Sequence, residues 1–190
     1  CFMVLLILAG THIGKVGKVA DGDTLTIVSR KGFKYRIRLE GIEGPEQDQP
    51  YGKKTTKNLR WLIFKKEVTA KYSKHYRYGR IVGKVLAGKK GNTFCLSTAC
   101  AWTLDVGLEQ IKAGMAWHYK RYQNEQTNED KNSYSKAGRG AKKKKIGLWS
   151  DENPIPPWKW RRDKRLKVLY QTCMEKAKGC KAKKYAKELG

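Results

Sequence analysis

Acidic residues are scarce in this chain: 17 Asp and Glu stand against 42 Lys and Arg, a formal net charge of +25 over 190 residues. A surface so short of carboxylates calls for a polyanionic partner, and nucleic acid is the commonest acidic polymer. A ribosomal-type or membrane-surface protein is the competing reading of the charge, and a cationic surface or adhesion protein a third. Long apolar runs are also missing. The longest, CFMVLLILAG at residues 1–10, is too short to span a bilayer. It reads as the hydrophobic part of a secretory signal peptide, with Ala9 and Gly10 at the cleavage site, which points to a secreted or periplasmic protein; a buried first strand is the alternative. Thr11 stands where a lipoprotein signal requires Cys, so lipid anchoring is not expected. Histidine is rare too. None of the three lies at ligand spacing near Cys95, Cys100, Cys173 or Cys180, which weighs against zinc. No internal repeat is visible.

Those four cysteines form an even set once Cys1 is assigned to the signal. A Cys95–Cys100 disulfide would close the Gly88–Thr103 excursion on itself. Cys173 and Cys180 are about 10 Å apart on an unbroken helix, beyond disulfide reach unless Gly179 bends the chain. The pairing stays open.

The apolar period is first two and then nearer 3.6. Residues 13–20, 24–29 and 34–42 read as three strands broken by Gly22 and Lys31-Gly32. Thr55, Leu59, Leu62 and Ile63 share one face of a helix over 53–65. Strands follow near 67–73 and 80–87. Leu108, Ile111 and Met115 mark a second helix, capped by Asp105 and ended near Gly114, and Tyr134, Ala137 and Ala141 suggest a third. The expected class is therefore α+β: a five-stranded OB-fold barrel with about three helices, a helix being inserted after the third strand. Pro154, Pro156 and Pro157 close the domain. Residues 158–190 then carry 12 Lys and Arg against three acids, a basic tail that permits a helix without demanding one. The expected division is 1–10 as signal, 11–162 as the barrel domain with a Cys-containing insert at 88–103, and 163–190 as tail.

Four motifs follow in order: Asp21-Gly22-Asp23-Thr24, then Arg38-Leu39-Glu40-Gly41-Ile42-Glu43-Gly44-Pro45-Glu46, then Tyr78-Gly79-Arg80, then Gly147-Leu148-Trp149. They supply carboxylates that suit a hard cation and arginines whose planar fork suits a phosphate. Over roughly residues 13–162 this order resembles the staphylococcal nuclease-like, or thermonuclease, family. The Cys-containing insert interrupts what that family makes as a tight hairpin.

The resemblance implies a calcium-dependent phosphodiesterase acting on DNA and RNA, with a preference for single strands. Asp23, Glu43 and the Gly44 carbonyl would hold calcium. Arg38 and Arg80 would clamp the phosphate. Glu46, stiffened by Pro45, would activate a water for in-line attack with loss of the 5′ oxygen, leaving a 3′-phosphate. Arg77, Tyr78 and Tyr122 match, or lie beside, nucleotide-contacting positions. Asp21 is read as a turn former and Arg36 as a surface strand residue. A monomer with no stable protein partner is implied. Three positions depart from the family pattern: Glu43 replaces Asp, Tyr76 replaces an acid, and Gly138 replaces Glu. The departures bear on activity rather than on fold. A noncatalytic OB-fold nucleic-acid-binding module is the alternative function.

Overall fold

The computed structural model describes residues 10–75, 80–88 and 103–175, and the side chains of all of these except 73–75, 80 and 173–175. Two compact units divide the chain at Glu152/Asn153. In the first, β1 (Gly10–Val19), β2 (Thr24–Val28), β3 (Lys34–Leu39), β5 (Glu67–His75) and β6 (Arg80–Ala87) form a five-stranded OB-fold barrel. β1 pairs antiparallel with both β2 and β5, and its register shifts between Val16 and Lys18. An extra residue there lets one strand bend from one neighbour to the other. The parallel pairing of β3 with β6, from Arg36↔Arg80 to Leu39↔Gly83, closes the barrel.

Alternation fills its interior. Leu25 and Ile27, Ile37 and Leu39, Val68 and Ala70, and Ile81, Val85 and Ala87 are all buried on the inner face. Each fully buried Leu or Ile side chain contributes about 1.5–3 kcal/mol relative to exposure.

β3 was expected to run to residue 42 but stops at Leu39. Gly41, at φ +70°, turns the chain, and Ile42–Glu43 forms a separate strand, β4, paired with β8 (Trp117–His118). A short β7 (Leu104–Asp105) pairs antiparallel with the end of β6 at the sheet edge.

The three expected helices are α1 (Gly52–Ile63), α2 (Val106–Lys112) and α3 (Asn128–Lys143). α1 buries Thr55, Leu59 and Ile63. Asp105 caps α2 by accepting from the Leu108 N–H at 3.1 Å, as its position before the apolar run suggests. The helix ends at Lys112, close to the expected stop at Gly114, and Met115 lies just past it. Gly114 takes φ +64° and donates to the Ile111 carbonyl, while the Met115 N–H reaches back to that of Gln110, a Schellman closure.

The helical content exceeds the expectation of about three. Among the described residues a fourth α-helix, α4 (Pro157–Glu175), occupies the second unit, and Lys120–Glu125 and Gly147–Ser150 form 3-10 turns. Pro157 suits the first position of α4, where its missing N–H has no intrahelical partner to lose. No helix among the described residues is long and apolar enough to cross a membrane. Residues 1–9, most of the 88–103 insert, Cys95, Cys100 and Cys180 lie outside the described residues.

Candidate active site

The Asp21-Gly22-Asp23 turn sits where β1 hands over to β2. Asp21 Oδ1 accepts from the Asp23 N–H at 3.1 Å, the turn-forming role expected of it. A side chain on Gly22 would strike Thr55, and a Cβ on Gly44 would come within 3.2 Å of the Gly22 backbone. The two glycines therefore allow the β1–β2 turn and the segment after β4 to touch.

Register then decides what meets Asp23. Thr24 pairs with Arg38 across β2 and β3, which brings the Arg38 side chain beside the turn. Its guanidinium lies 3.1 Å from Asp23 Oδ2 and 3.4 Å from Glu43 Oε1. Asp23 Oδ2 also accepts the Gly44 N–H at 3.1 Å, and Oδ1 accepts the Thr24 hydroxyl at 2.9 Å. Arg38, Asp23, Glu43 and Gly44, drawn from two separate sequence motifs, are thus one connected cluster.

Both carboxylates are deeply buried, Asp23 at 4 % exposure and Glu43 at 2 %. Burial, helped by the neighbouring Asp21 charge, raises the Asp23 pKa to about 7 against the opposing pull of Arg38, the Gly44 N–H and the Thr24 hydroxyl. One guanidinium does not fully compensate two buried acids, so a hard cation would fit the charge of this donor set. Among the described residues no group of three or more His, Cys, Asp or Glu is disposed to hold a metal. A cation here would complete its shell with backbone carbonyl or water oxygens.

Glu46 lies two residues beyond Gly44, behind a buried Pro45. Its N–H donates to Gln49 Oε1 at 3.1 Å, and its carbonyl accepts the Gln49 N–H at 3.0 Å. A Cβ at Gly52 would collide with that same carbonyl, so α1 starts hard against the Glu46 loop. Arg80 opens β6 opposite Arg36 in the parallel register, which places its backbone on the strand beside Arg38. Arg77 and Tyr78 lie outside the described residues.

Tyr122 is 51 % exposed in the Lys120–Glu125 turn, its ring edge-on to Tyr119 at 5.8 Å and beneath the Arg121 guanidinium at 5.7 Å. The β4–β8 pairing and the Tyr119 N–H bond to the Gly41 carbonyl tie this aromatic segment to the Glu43 strand. Arg121 is held above its ordinary pKa first by Tyr119, then by Tyr122, with Glu43 contributing.

Sequence reasoning missed the supports of the cluster. Gln110, fully buried on α2, donates to the Gly22 carbonyl at 2.8 Å and accepts from Asn58. Thr55, read only as part of an apolar face, donates its hydroxyl to the Met115 carbonyl at 2.9 Å. A glutamine on the inner face of a helix was the available signal, because a buried amide must find partners.

An OB-fold barrel whose β3 arginine lies between two buried acids, one in the turn after the first strand and one on β4, defines a class of proteins with a polar, cation-compatible site on the barrel. The family model described as staphylococcal nuclease homologue matches residues 36–151. A Haemophilus influenzae protein named as an uncharacterized endonuclease is 34 % identical over 160 residues, covering 83 % of this chain and 79 % of its own. An Escherichia coli protein of the same description is 37 % identical, over 80 % and 86 % of the two chains. A Shigella flexneri micrococcal nuclease is 35 % identical, over 78 % and 80 %. The chain belongs to the staphylococcal nuclease family.

Proposed function

We propose that this protein is a secreted or periplasmic, calcium-dependent nuclease that hydrolyses DNA and RNA with little sequence preference, favouring single strands and leaving 3′-phosphate ends. The observation that carries the reading is the Asp23–Arg38–Glu43 cluster, which joins buried oxygen donors to a guanidinium suited to a phosphate. The names of the relatives support it, two being named uncharacterized endonucleases and one a micrococcal nuclease.

Asp23, Glu43 and the Gly44 carbonyl would hold calcium, which when bound supplies positive charge against a phosphoryl oxygen. Arg38 neutralises charge growing on the phosphate, and Arg80 joins it from the adjacent strand. Glu46 takes a proton from the attacking water. The water oxygen bonds to phosphorus, the P–O5′ bond breaks, and the departing 5′ oxygen takes a proton from solvent. Arg77, Tyr78 and Tyr122 contact the nucleotide. Because the backbone rather than the bases is held, sequence is not read.

Plasmid and RNA digestion with calcium and with chelator tests this. Calcium-dependent cleavage of both polymers is expected. Binding of both without cleavage would replace the enzyme by the noncatalytic OB-fold module. Secretion is tested separately, by fractionating cells that express the full-length natural protein.

A further inference from the structure

One face of α1 is consumed by the core, and the opposite face is not. Gly52, Thr55, Leu59 and Ile63 point inward. On the other side Lys53, Lys57, Arg60 and Trp61 are exposed and Phe64 is half-buried. At 3.6 residues per turn these five fall within an arc of about 100°. α1 contains no acidic residue.

Trp61 is 64 % exposed, more than any other large hydrophobic among the described residues. A solvated indole forgoes much of the burial energy its surface offers. The Arg60 guanidinium lies 4.4 Å over the Phe64 ring, so a cation and a second ring sit together on the same helical face.

The strip also begins at the candidate active site. Gly52 packs directly on the Glu46 carbonyl, and Lys53 follows it. From Lys53 to Trp61 the helix rises about 12 Å.

We propose that this face of α1 is a strand-holding subsite, in which Lys53, Lys57 and Arg60 neutralise phosphates of a single-stranded polynucleotide and Trp61 stacks an unpaired base. The proposal rests on the nucleic-acid reading of the adjacent site. Cations interleaved with exposed rings are what sequence-tolerant binding of single strands requires, because every base has a face to stack. A membrane-lying helix needs a continuous apolar face, and the apolar face of α1 is already buried.

The test is binding of a labelled single-stranded oligonucleotide, read by fluorescence anisotropy in chelator, alongside cleavage of a dinucleotide with calcium. Trp61→Ala should weaken strand binding about tenfold, and Trp61→Phe should restore most of it. Lys53→Gln, Lys57→Gln and Arg60→Gln together should reduce the salt slope of binding by about 2. Dinucleotide cleavage and melting temperature should not change in either case, since all four side chains are exposed. Unchanged strand affinity and salt slope in both variants would overturn the proposal. So would a loss of binding to anionic vesicles with strand binding intact. Strand binding by a wild-type protein that cleaves nothing would defeat the nuclease reading, and the anisotropy of the variants would still decide the strip.

Discussion

Asp23 is pulled in two directions, since burial favours its neutral form while Arg38, the Gly44 N–H and Thr24 hold the carboxylate. A bound cation would resolve the conflict, and the side chain at position 43 tests whether it does. Glu43→Asp should keep or improve calcium-dependent cleavage, because calcium tolerates irregular oxygen shells, whereas Glu43→Ala and Asp23→Ala should abolish it. Calcium titrations of activity separate these outcomes. Full activity of Glu43→Ala at low calcium would remove residue 43 from the ligand set. For the chemical step, Glu46→Gln and Arg80→Ala should each lower kcat by about 10²–10⁴ with polymer affinity nearly unchanged. Wild-type turnover in both would discard the mechanism. His118, on the strand paired with β4, gives a pH prediction for stability. Its pKa is lowered, first by burial and further by Lys120, with the Gln126 hydrogen bond opposing. The folded state therefore binds fewer protons than the unfolded one, and the stability of the neutral ring, present above the ordinary value of 6.5, is lost as pH falls through it towards the lower folded value. Thermal melts across that window should show the fall, and His118→Gln should flatten it.

The helices differ in how well local sequence serves them. α3 has a matched start and end: Thr127 caps it by accepting from the Asp130 N–H at 3.1 Å, Glu129 and Asp130 occupy its first turn, and Lys142 and Lys143 its last. Its weak points are Gly138 and Gly140. A Cβ at Gly140 meets nothing within 4 Å, and at Gly138 only Ile111 at an ordinary 3.8 Å. Gly140→Ala should therefore stabilise the protein by about 0.5–1 kcal/mol, read as a higher denaturation midpoint with unchanged m-value. The start of α2 is instead tied to the rest of the fold through Asp105, which caps Leu108, accepts the Tyr134 hydroxyl at 3.0 Å on both oxygens and pairs with Lys84 at 3.3 Å. Lys84 also pairs with Asp130, so β6, α2 and α3 converge on one ammonium. Tyr134→Phe should cost about 1–2 kcal/mol in chemical denaturation, because it leaves a largely buried carboxylate short of a donor.

Charge is the property of the whole molecule that matters most for a polyanionic substrate. Deleting residues 164–190 should flatten the salt dependence of polynucleotide binding, since fewer counterions are released when fewer phosphates are neutralised. An unchanged slope would show that the tail does not touch the polymer. What the sequence determined was local or repetitive. The alternation of Leu25 and Ile27 or Ile37 and Leu39 placed the strands, the spacing of Thr55, Leu59 and Ile63 placed a helix, and Asp105 announced its cap. Those signals are carried by residues a few positions apart, where backbone period and side-chain chemistry suffice. The ordered motifs also told which arginine and which acids belong together, though not how. Only the tertiary structure decided that the chain breaks at Gly41 to give Glu43 its own strand paired with Trp117, and that Gln110 fastens a turn 88 residues earlier. It alone showed that Trp61 faces solvent rather than the core. These outcomes depend on barrel closure by the parallel β3–β6 pairing, which brings distant segments together at separations for which local sequence has no preference.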